Sequence, residues 1–505
     1  MSGLDWVVLA AYGLLMIGVG AWYSWRNRST DDYLLGGRRM SPIMLGLSLF
    51  ATLVSTLSYL ANPGEMIAFG PMMSLQALAH PIIFVIVGFG LIPLIMRQPV
   101  TSAYEILENR LGRSIRQAGA AMFLLLRFGW MATILYTTSD KVLVPLFKLD
   151  PHWTPLLSIV LGVVTALYSS EGGFKAVVTT DAIQSITMLA GAVVTILVIT
   201  VRMGGVSAWW PHTWPEHWAE PSWGFDYNAH APFAMLMIST TLWYVCTNGS
   251  DQMSIQRFLS TRDAVAARKT LLVSQMTDVV VSSLLALTGV ALLGFYRGHP
   301  PFSGNETYAN ASDKLFTTFF MTEMPPGLGG LVLAAVLAAA MSSLSSGLNS
   351  TCGVIERDFL SSGPKPARPA SVVRLKLLTW GISLITVLLS LVVMSVKGNI
   401  TDLCFKLINL FTAPLFVLFF LALFVRWATP IGAWFGLIGS LATAVLVAYA
   451  AEISMALKLE FTVNPHASRV WIMPSSLLVG VVIGSLVSAL TPKIRNAVSN
   501  SVQEI

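Results

Sequence analysis

Charged residues are scarce in this 505-residue chain, where Asp, Glu, Lys and Arg make up 11% of the sequence. An ordinary soluble domain contains about 25%, so the deficit excludes a soluble multidomain enzyme. The three cysteines, Cys246, Cys352 and Cys404, are odd in number and lack metal-ligand spacing, which indicates neither a disulfide framework nor a metal centre. The net charge of +6 does not imply nucleic-acid binding, because the basic residues lie between apolar segments.

Motifs of membrane-embedded enzymes are also missing. The sequence has no nucleophile elbow, no His-Glu-x-x-His and no pair of carboxylates within one apolar segment, so we expect no enzymatic activity. The tail after the last apolar segment is too short for a signalling domain. A non-transporting membrane sensor nevertheless stays an alternative to a transporter.

What the sequence does contain is long apolar blocks, which together bring the apolar fraction to 55%. A bilayer crossing needs about 20 apolar residues. Block lengths and Gly/Pro punctuation predict an all-α polytopic membrane protein with about thirteen spans, at 4–24, 42–64, 71–96, 117–146, 154–170, 180–201, 232–249, 270–295, 327–352, 371–395, 402–425, 430–450 and 472–491.

The basic residues predict how these spans are oriented. Roughly two thirds of the 31 Lys and Arg residues lie in the gaps on one side of the spans. Basic gaps face the cytoplasm, so we expect a multi-pass protein of the plasma (inner) membrane with its N-terminus outside and its C-terminus inside. The extracellular loop 202–231 is rich in tryptophan, which favours an interfacial belt and leaves open a lid over a solute path.

Two spans are interrupted at corresponding positions. Span two meets Asn62, Pro63 and Gly64, which disfavour a continuing helix, and span seven meets the polar segment 247–252. Either interruption alone could be the end of a span. As a pair, five spans apart, they indicate two inverted repeats with a binding site near the middle of the bilayer.

Span nine carries a stripe of hydroxyl groups. Ala339, Ser342, Ser343 and Ser346 recur at helical spacing on one face. Small residues and serines also serve close helix packing, which is one interpretation. The other is a cage of hydroxyl and carbonyl oxygens for a small hard cation.

At this point the chain resembles the sodium:solute symporter family. The similarity is carried in order by residues 31–38, 101–112, 171–184 and 251–257 and by the serine-rich run, and it spans about residues 5 to 430. It implies a LeuT-type fold of two inverted five-helix repeats. The implied divisions are an N-terminal span and loop (1–41), the first repeat (42–201), the Trp-rich loop (202–231), the second repeat (232–425) and two further spans with a tail (426–505).

The resemblance also implies sodium as the coupling ion and assigns its ligands. The main site would use the carbonyls of Ala51, Val54 and Ala339 with the hydroxyls of Ser342 and Ser343. A possible second sodium site would use Asp181, Ser345 and Ser346. Asp181 could instead be an ordinary carboxylate at a helix N-terminus.

The family binds its solute beside the two breaks. The candidate residues there are Thr52, Ser55, Thr56, Ser58, Gln76, His80, Trp130, Tyr136, Trp243, Tyr244 and Asn248, and each could equally be a packing residue. Sugar carriers place a Glu-Gln pair after the first break, which is absent here. Sialic acid carriers place an arginine where Trp130 aligns, with Arg127 one turn away.

These observations predict a sodium-coupled symporter of a small polar organic solute that works by alternating access. A carboxylate or similar anion is favoured as the solute, and a sodium-coupled sugar symporter is the alternative. Its partners are then the solute, sodium and the lipid bilayer, without nucleic acid, and a monomer is expected to be functional. Four charged residues receive no role: Asp140, Lys141, Asp278 and Lys406.

Overall fold

The structure is a computed structural model that describes residues 1–25, 29–98, 100–226, 229–297, 301, 307–361, 371–396, 400–456 and 465–491. The regular secondary structure of these residues is entirely helical. The predicted tail at 492–505 and the side chain of Cys404 lie outside the described part of the chain.

The first half of the chain forms eleven α-helices. They are α1 (Gly3–Ser24), α2 (Thr30–Leu35), α3 (Pro42–Leu53), α4 (Thr56–Phe69), α5 (His80–Val85), α6 (Ile92–Met96), α7 (Glu105–Leu111), α8 (Arg113–Thr138), α9 (Val144–Phe147), α10 (Thr154–Met203) and α11 (Val206–Trp209). Short 3₁₀ and π segments complete the spans Pro71–Met96 and Arg113–Phe147.

The second half forms ten more. They are α12 (Phe233–Ser250), α13 (Gln252–Leu259), α14 (Ala264–Tyr296), α15 (Tyr308–Thr322), α16 (Leu328–Val354), α17 (Val372–Met394), α18 (Ile400–Phe424), α19 (Pro430–Ala448), α20 (Ala450–Ala456) and α21 (Pro465–Leu490).

The count of membrane spans differs from the sequence prediction. Among the described residues, 10 helices are long and apolar enough to cross a membrane, or 11 when the bent pair α3 and α4 counts as one span. The predicted thirteen is therefore not confirmed. Two predicted spans, 154–170 and 180–201, lie within the single assigned helix α10. The predicted span at 232–249 corresponds to α12, which is not counted because the polar residues at its end lower its mean hydropathy.

The long helix α10 is two helices joined at Gly173. A straight helix of its 50 residues would be about 75 Å long, more than twice the roughly 30 Å bilayer core. Gly173 breaks it with φ 58° and ψ −158°, a backbone conformation that is essentially restricted to glycine. A β-carbon there would also lie 3.0 Å from the carbonyl oxygen of Tyr33.

The core of the bundle is built around α16 and α10, which pack along each other. Helix α1 packs on both, α3 lies against α10, α14 and α16, and α14 also contacts α4. Nearly all of α16 is buried, whereas the last long helices, α19 and α21, pack on each other and on α18 and are less buried. The serine stripe of α16 is therefore at the centre of the molecule.

The Trp-rich loop partly covers the end of α4. Trp218 is buried and donates its indole N–H to the carbonyl of Ile67 (3.1 Å), and the backbone N–H of Ala219 donates to Phe69 (3.3 Å). Trp210 and Trp223 are exposed, by 46% and 65%. The loop thus combines packing over span two with exposed aromatic side chains, so neither interpretation of it is singled out.

We expect Gly173→Ala to lower the melting temperature of the detergent-purified protein, because alanine must adopt a positive φ and meet Tyr33. Strain of this kind costs about 1–3 kcal/mol. Gly381→Ala in α17 is the matched control, since nothing lies within 4 Å of its added β-carbon. Alanine is the better helix former, so the control should keep or raise the melting temperature. Equal melting temperatures for wild type and Gly173→Ala would contradict the account of the kink.

Candidate functional site

The second span is interrupted between α3 and α4, where the helix axis bends by 70°. Val54 is extended there, with φ −91° and ψ 122°. Ser55 caps α4 by accepting a hydrogen bond from the backbone N–H of Ser58 (3.4 Å). Because the last carbonyls of a helix have no partner within it, those of α3 are free to meet another group.

The predicted position of this break, at Asn62, Pro63 and Gly64, is wrong. These residues lie inside α4, which continues to Phe69. Pro63 removes one backbone donor, but membrane helices tolerate proline when neighbouring groups satisfy the freed carbonyl. The signal that could have located the break is Ser55, a residue type that commonly caps a helix N-terminus.

The second interruption lies where the sequence predicts it. Helix α12 ends at Ser250, α13 begins at Gln252, and Asp251 is extended between them with φ −83° and ψ 126°. The Asp251 carboxylate accepts a hydrogen bond from the backbone N–H of Met253 (2.8 Å) and pairs with the buried guanidinium of Arg127 from α8. The Arg127 side chain is therefore paired with the residue at the second interruption.

The residues of the predicted main sodium site meet at the first break. Ser342 donates its hydroxyl to the carbonyls of Ala51 (2.7 Å) and Ala339 (3.2 Å), and Ser343 donates to that of Val54 (3.1 Å). All but the half-buried Val54 are at most 1% exposed. The structure thus brings five oxygen atoms together between α3 and α16, which is the ligand chemistry that a hard cation requires.

The predicted second sodium site contains a guanidinium group. Asp181, Ser345 and Ser346 do lie together, since Ser345 donates to the Asp181 carboxylate (3.4 Å) and Ser346 does so at 3.0 Å. Between them, however, Nη2 of Arg257 donates to Asp181 (3.0 Å) and to Ser346 (2.6 Å). Because a cation already neutralises the carboxylate, this conformation does not favour a sodium ion at the same place.

Each nitrogen of the Arg257 guanidinium has a hydrogen-bond partner. Its Nε donates to Ser48 (2.9 Å), Nη2 donates to Thr52 (2.5 Å) and Nη1 donates to the carbonyl of Met253 (2.8 Å). The side chains of Arg257 and Asp181 are 0% exposed. Sequence analysis assigned Arg257 to no site, although it ends the segment 251–257 that carries the family resemblance and follows the second break.

Several predicted solute residues are engaged in other contacts. Thr52 belongs to the Arg257 cluster, and Ser55 caps α4. Thr56 donates to the carbonyl of Val336 (3.1 Å) and accepts from the hydroxyl of Thr138 (3.2 Å). These three side chains therefore fix the broken span in place.

A second group of predicted solute residues forms a wall between spans three and seven. The His80 and Tyr244 rings meet edge to face with centroids 5.2 Å apart, and Trp243 lies 4.7 Å from Tyr244. The side-chain amide of Asn248 donates to the carbonyl of Tyr244 (2.8 Å), and its carbonyl oxygen has no protein partner. The other four candidates are half-buried: Ser58, Gln76, Trp130 and Tyr136.

The wall includes Asp278 of α14, which sequence analysis left without a role. Its carboxylate oxygen Oδ2 lies 2.9 Å from Nε2 of His80 and accepts a hydrogen bond from the Tyr244 hydroxyl. No sequence pattern joins residues 198 positions apart. The other unassigned charges also pair: Asp140 with Lys141, and Lys406 with Glu452, each at 2.9 Å.

Comparison with known proteins gives the site its context. The family model for the sodium:solute symporter family matches residues 33–440. A sodium/sialic acid symporter of Proteus mirabilis is 28% identical over 89% of this chain and 90% of its own length. Human sodium-coupled monocarboxylate transporter 1 is 27% identical over 89% of this chain and 74% of its own.

Solved structures agree on the fold. The outward-open structure of a Na⁺-coupled sialic acid symporter covers 97% of this chain and 98% of its own, with a TM-score of 0.82 and 24% identity. A nucleobase-cation-symport-1 family transporter in a closed conformation has a TM-score of 0.57 and 12% identity. The fold is therefore LeuT-type. Because the family model matches most of its length, the chain belongs to the sodium:solute symporter family, the multi-pass membrane proteins that couple solute movement to sodium.

Proposed function

We propose that this symporter imports a small carboxylate-bearing solute with sodium bound at the first break. The observation that carries the proposal is the convergence of the Ser342 and Ser343 hydroxyls on the carbonyls of Ala51 and Val54. A cation among these oxygens would hold α3 and α16 in one relative position. Ligands shift a conformational equilibrium only when they bind one state better, so sodium from outside would favour the state in which this site is complete.

The solute would bind beside this site and move by alternating access. Outside sodium stabilises the outward-open bundle, the solute enters against the wall of His80, Trp243, Tyr244 and Asn248, and the bundle then rocks to release both inside. The two relatives above are named for sialic acid and for monocarboxylates, which share a carboxylate. This shared group supports a carboxylate as the solute here.

We also propose the setting of the chain in the membrane. The distribution of basic residues supports a plasma (inner) membrane protein with its N-terminus outside. The functional unit would be a monomer surrounded by lipid, which performs transport and no covalent chemistry. With this orientation α13 lies on the cytoplasmic side, and all eight of its residues are buried, as expected when the inner side is closed.

Uptake by proteoliposomes tests the solute class. We expect an inward sodium gradient to drive accumulation of at least one labelled carboxylate from a panel of lactate, pyruvate, nicotinate and sialic acid, and to leave galactose outside. Replacing the sodium gradient with potassium is the control and should abolish accumulation. Sodium-driven uptake of galactose without any carboxylate would contradict the proposal and favour the sugar carrier.

The sodium site makes a separate prediction. Ser342→Ala and Ser343→Ala should each weaken sodium activation by about 1 kcal/mol, roughly fivefold in the half-saturating sodium concentration, because each removes one oxygen ligand. Ser390→Ala is the matched control, since its hydroxyl donates to Val387 of its own helix (2.7 Å). The measurement is uptake against sodium concentration. An unchanged half-saturating concentration in both site variants would disprove the assignment.

Arg257 makes a prediction about stoichiometry. Because its guanidinium neutralises Asp181, we expect wild type to move one sodium per solute in dual-isotope flux measurements. Arg257→Gln frees the carboxylate and its serines for a cation, so the ratio or the Hill coefficient for sodium should rise. Breaking a buried pair costs about 3–5 kcal/mol, so fluxes are normalised to folded protein.

The double variant Asp181→Asn/Arg257→Gln controls for that cost. It removes both charges, leaves no carboxylate for a second sodium, and should keep the wild-type ratio. A wild-type ratio of two sodium ions per solute would mean that Arg257 leaves Asp181 during transport and would contradict this part of the proposal.

A further inference from the structure

The cluster of His80, Asp278 and Tyr244 lies inside the bundle. On α14 the exposed residues Leu272, Met276 and Val280 are spaced four apart and share one face. Asp278 is two residues from the last two of them, which places it on the opposite face. Its side chain is 14% exposed and that of His80 is 8% exposed. An ionisable group at such a position in a membrane helix is costly and calls for a functional explanation.

The hydrogen bonds of His80 require a proton between it and Asp278. Nδ1 of His80 lies 3.0 Å from the carbonyl oxygen of Ala77, which can only accept, so Nδ1 carries a hydrogen. Nε2 lies 2.9 Å from Oδ2 of Asp278. A bare Nε2 and an ionised carboxylate would be two acceptors facing each other. The contact is favourable only when one proton lies between them, either as imidazolium and carboxylate or as imidazole and carboxylic acid.

The rest of the cluster is consistent with a carboxylate that accepts several hydrogen bonds. Besides His80, Oδ2 accepts from the Tyr244 hydroxyl, and Oδ1 accepts from Ser282 (3.3 Å). Within the described part of the chain, Asp278 is the charged group that interacts electrostatically with the His80 ring and with the Tyr244 hydroxyl. Charged residues on the helices around the cluster interact with other groups. Glu65 of α4 pairs with His230, Asp181 of α10 pairs with Arg257, and Lys406 of α18 pairs with Glu452. The guanidinium of Arg268, on α14 itself, lies over the Phe89 ring.

We propose that His80 and Asp278 form a proton-binding site whose charge controls the recognition of an anionic solute. With one proton the pair is neutral. Loss of that proton leaves a net negative charge in the wall formed by Trp243, Tyr244 and Asn248, and this charge repels a carboxylate. The first part of the inference, the shared proton, stands on geometry alone, whereas its effect on transport rests on the proposed carboxylate solute.

The shared proton is tested without any solute. Full-length protein labelled with ¹⁵N-histidine in lipid, with sodium present, is studied by solid-state NMR, and the His80 signal is identified by its loss in His80→Gln. The measurement is made at about pH 7, near the ordinary titration range of histidine. If the proton lies on His80, both ring nitrogens should be protonated. If it lies on Asp278, the infrared spectrum should contain a protonated-carboxyl band that disappears in Asp278→Asn. A neutral ring together with no such band overturns the proposal.

Asp278→Asn is informative because an asparagine amide can donate to a bare Nε2. The variant therefore satisfies His80 without the shared proton, and the ring should become neutral. Thr277→Val is the matched control: the Thr277 hydroxyl, next to Asp278 in sequence, donates to Val273 of its own helix (2.8 Å). The control should keep the wild-type signal. A ring state that is the same in wild type and Asp278→Asn, without a protonated-carboxyl band in wild type, counts against the shared proton.

The effect on transport is tested by sodium-driven uptake of the carboxylate identified by the panel, between about pH 6 and about pH 9. We expect wild-type and Thr277→Val uptake to fall by roughly tenfold as the pair loses its proton, and the relative pH profile of Asp278→Asn to be flatter. A flat wild-type profile overturns the role in recognition. Failure of every carboxylate in the panel overturns the proposed solute instead, and the NMR result for the proton is unaffected by it.

Discussion

The buried ion pair between Asp181 and Arg257 determines how the two broken spans meet. Removing two charges from water is expensive, and the cost is offset only when the geometry is good and the remaining hydrogen-bonding groups are satisfied. Here the guanidinium reaches Ser48, Thr52 and Ser346 as well as the carboxylate. One side chain from α13 thereby binds to α3, α10 and α16, and it fixes their relative positions within the bundle.

The ion pair and the proposed main sodium site are linked through one residue. The hydroxyl of Thr52 accepts from Arg257, while the carbonyl of Thr52 accepts from Ser343 (3.1 Å), one of the proposed sodium ligands. A movement of Arg257 would therefore shift the backbone at the first break, and sodium binding at that break would bear on Arg257. Coupling of this kind needs no long pathway, because Arg257 and a proposed sodium ligand contact opposite ends of one residue.

The sequence contained enough to predict which oxygens meet at the first break, but not the buried charge pairs. The stripe of Ser342, Ser343 and Ser346 is local, so helical spacing reveals it. Resemblance to a family supplied Ala51 and Val54, even though the predicted break at Asn62, Pro63 and Gly64 lies about two helical turns after the observed one. Proline is a reliable helix terminator in water, but inside a membrane bundle its missing donor can be tolerated, and Ser55 was the stronger signal.

The pairs Asp181–Arg257 and His80–Asp278 could not be read from the sequence because their partners are distant along the chain. No spacing rule connects them, and each residue alone had an ordinary explanation. The predicted count of thirteen spans is not confirmed, and residues 154–203 account for part of the difference. They are assigned as one helix, within which the backbone of Gly173 is not helical.

Four charge pairs inside the described part of the bundle have a common arrangement. Each has one partner within 42–201 and the other within 232–425: Arg127 with Asp251, His80 with Asp278, Asp181 with Arg257, and Arg116 with Asp358. The oxygens of the proposed sodium site are divided in the same way, between α16 and the end of α3. Polar contacts across an apolar bundle are therefore concentrated where the two halves of the chain meet. An unpaired charge at this place is costly. A rocking motion must therefore either move both members of a pair together or replace one member with an ion or a proton. The charge pairs are thus the points at which bound cations can control the motion.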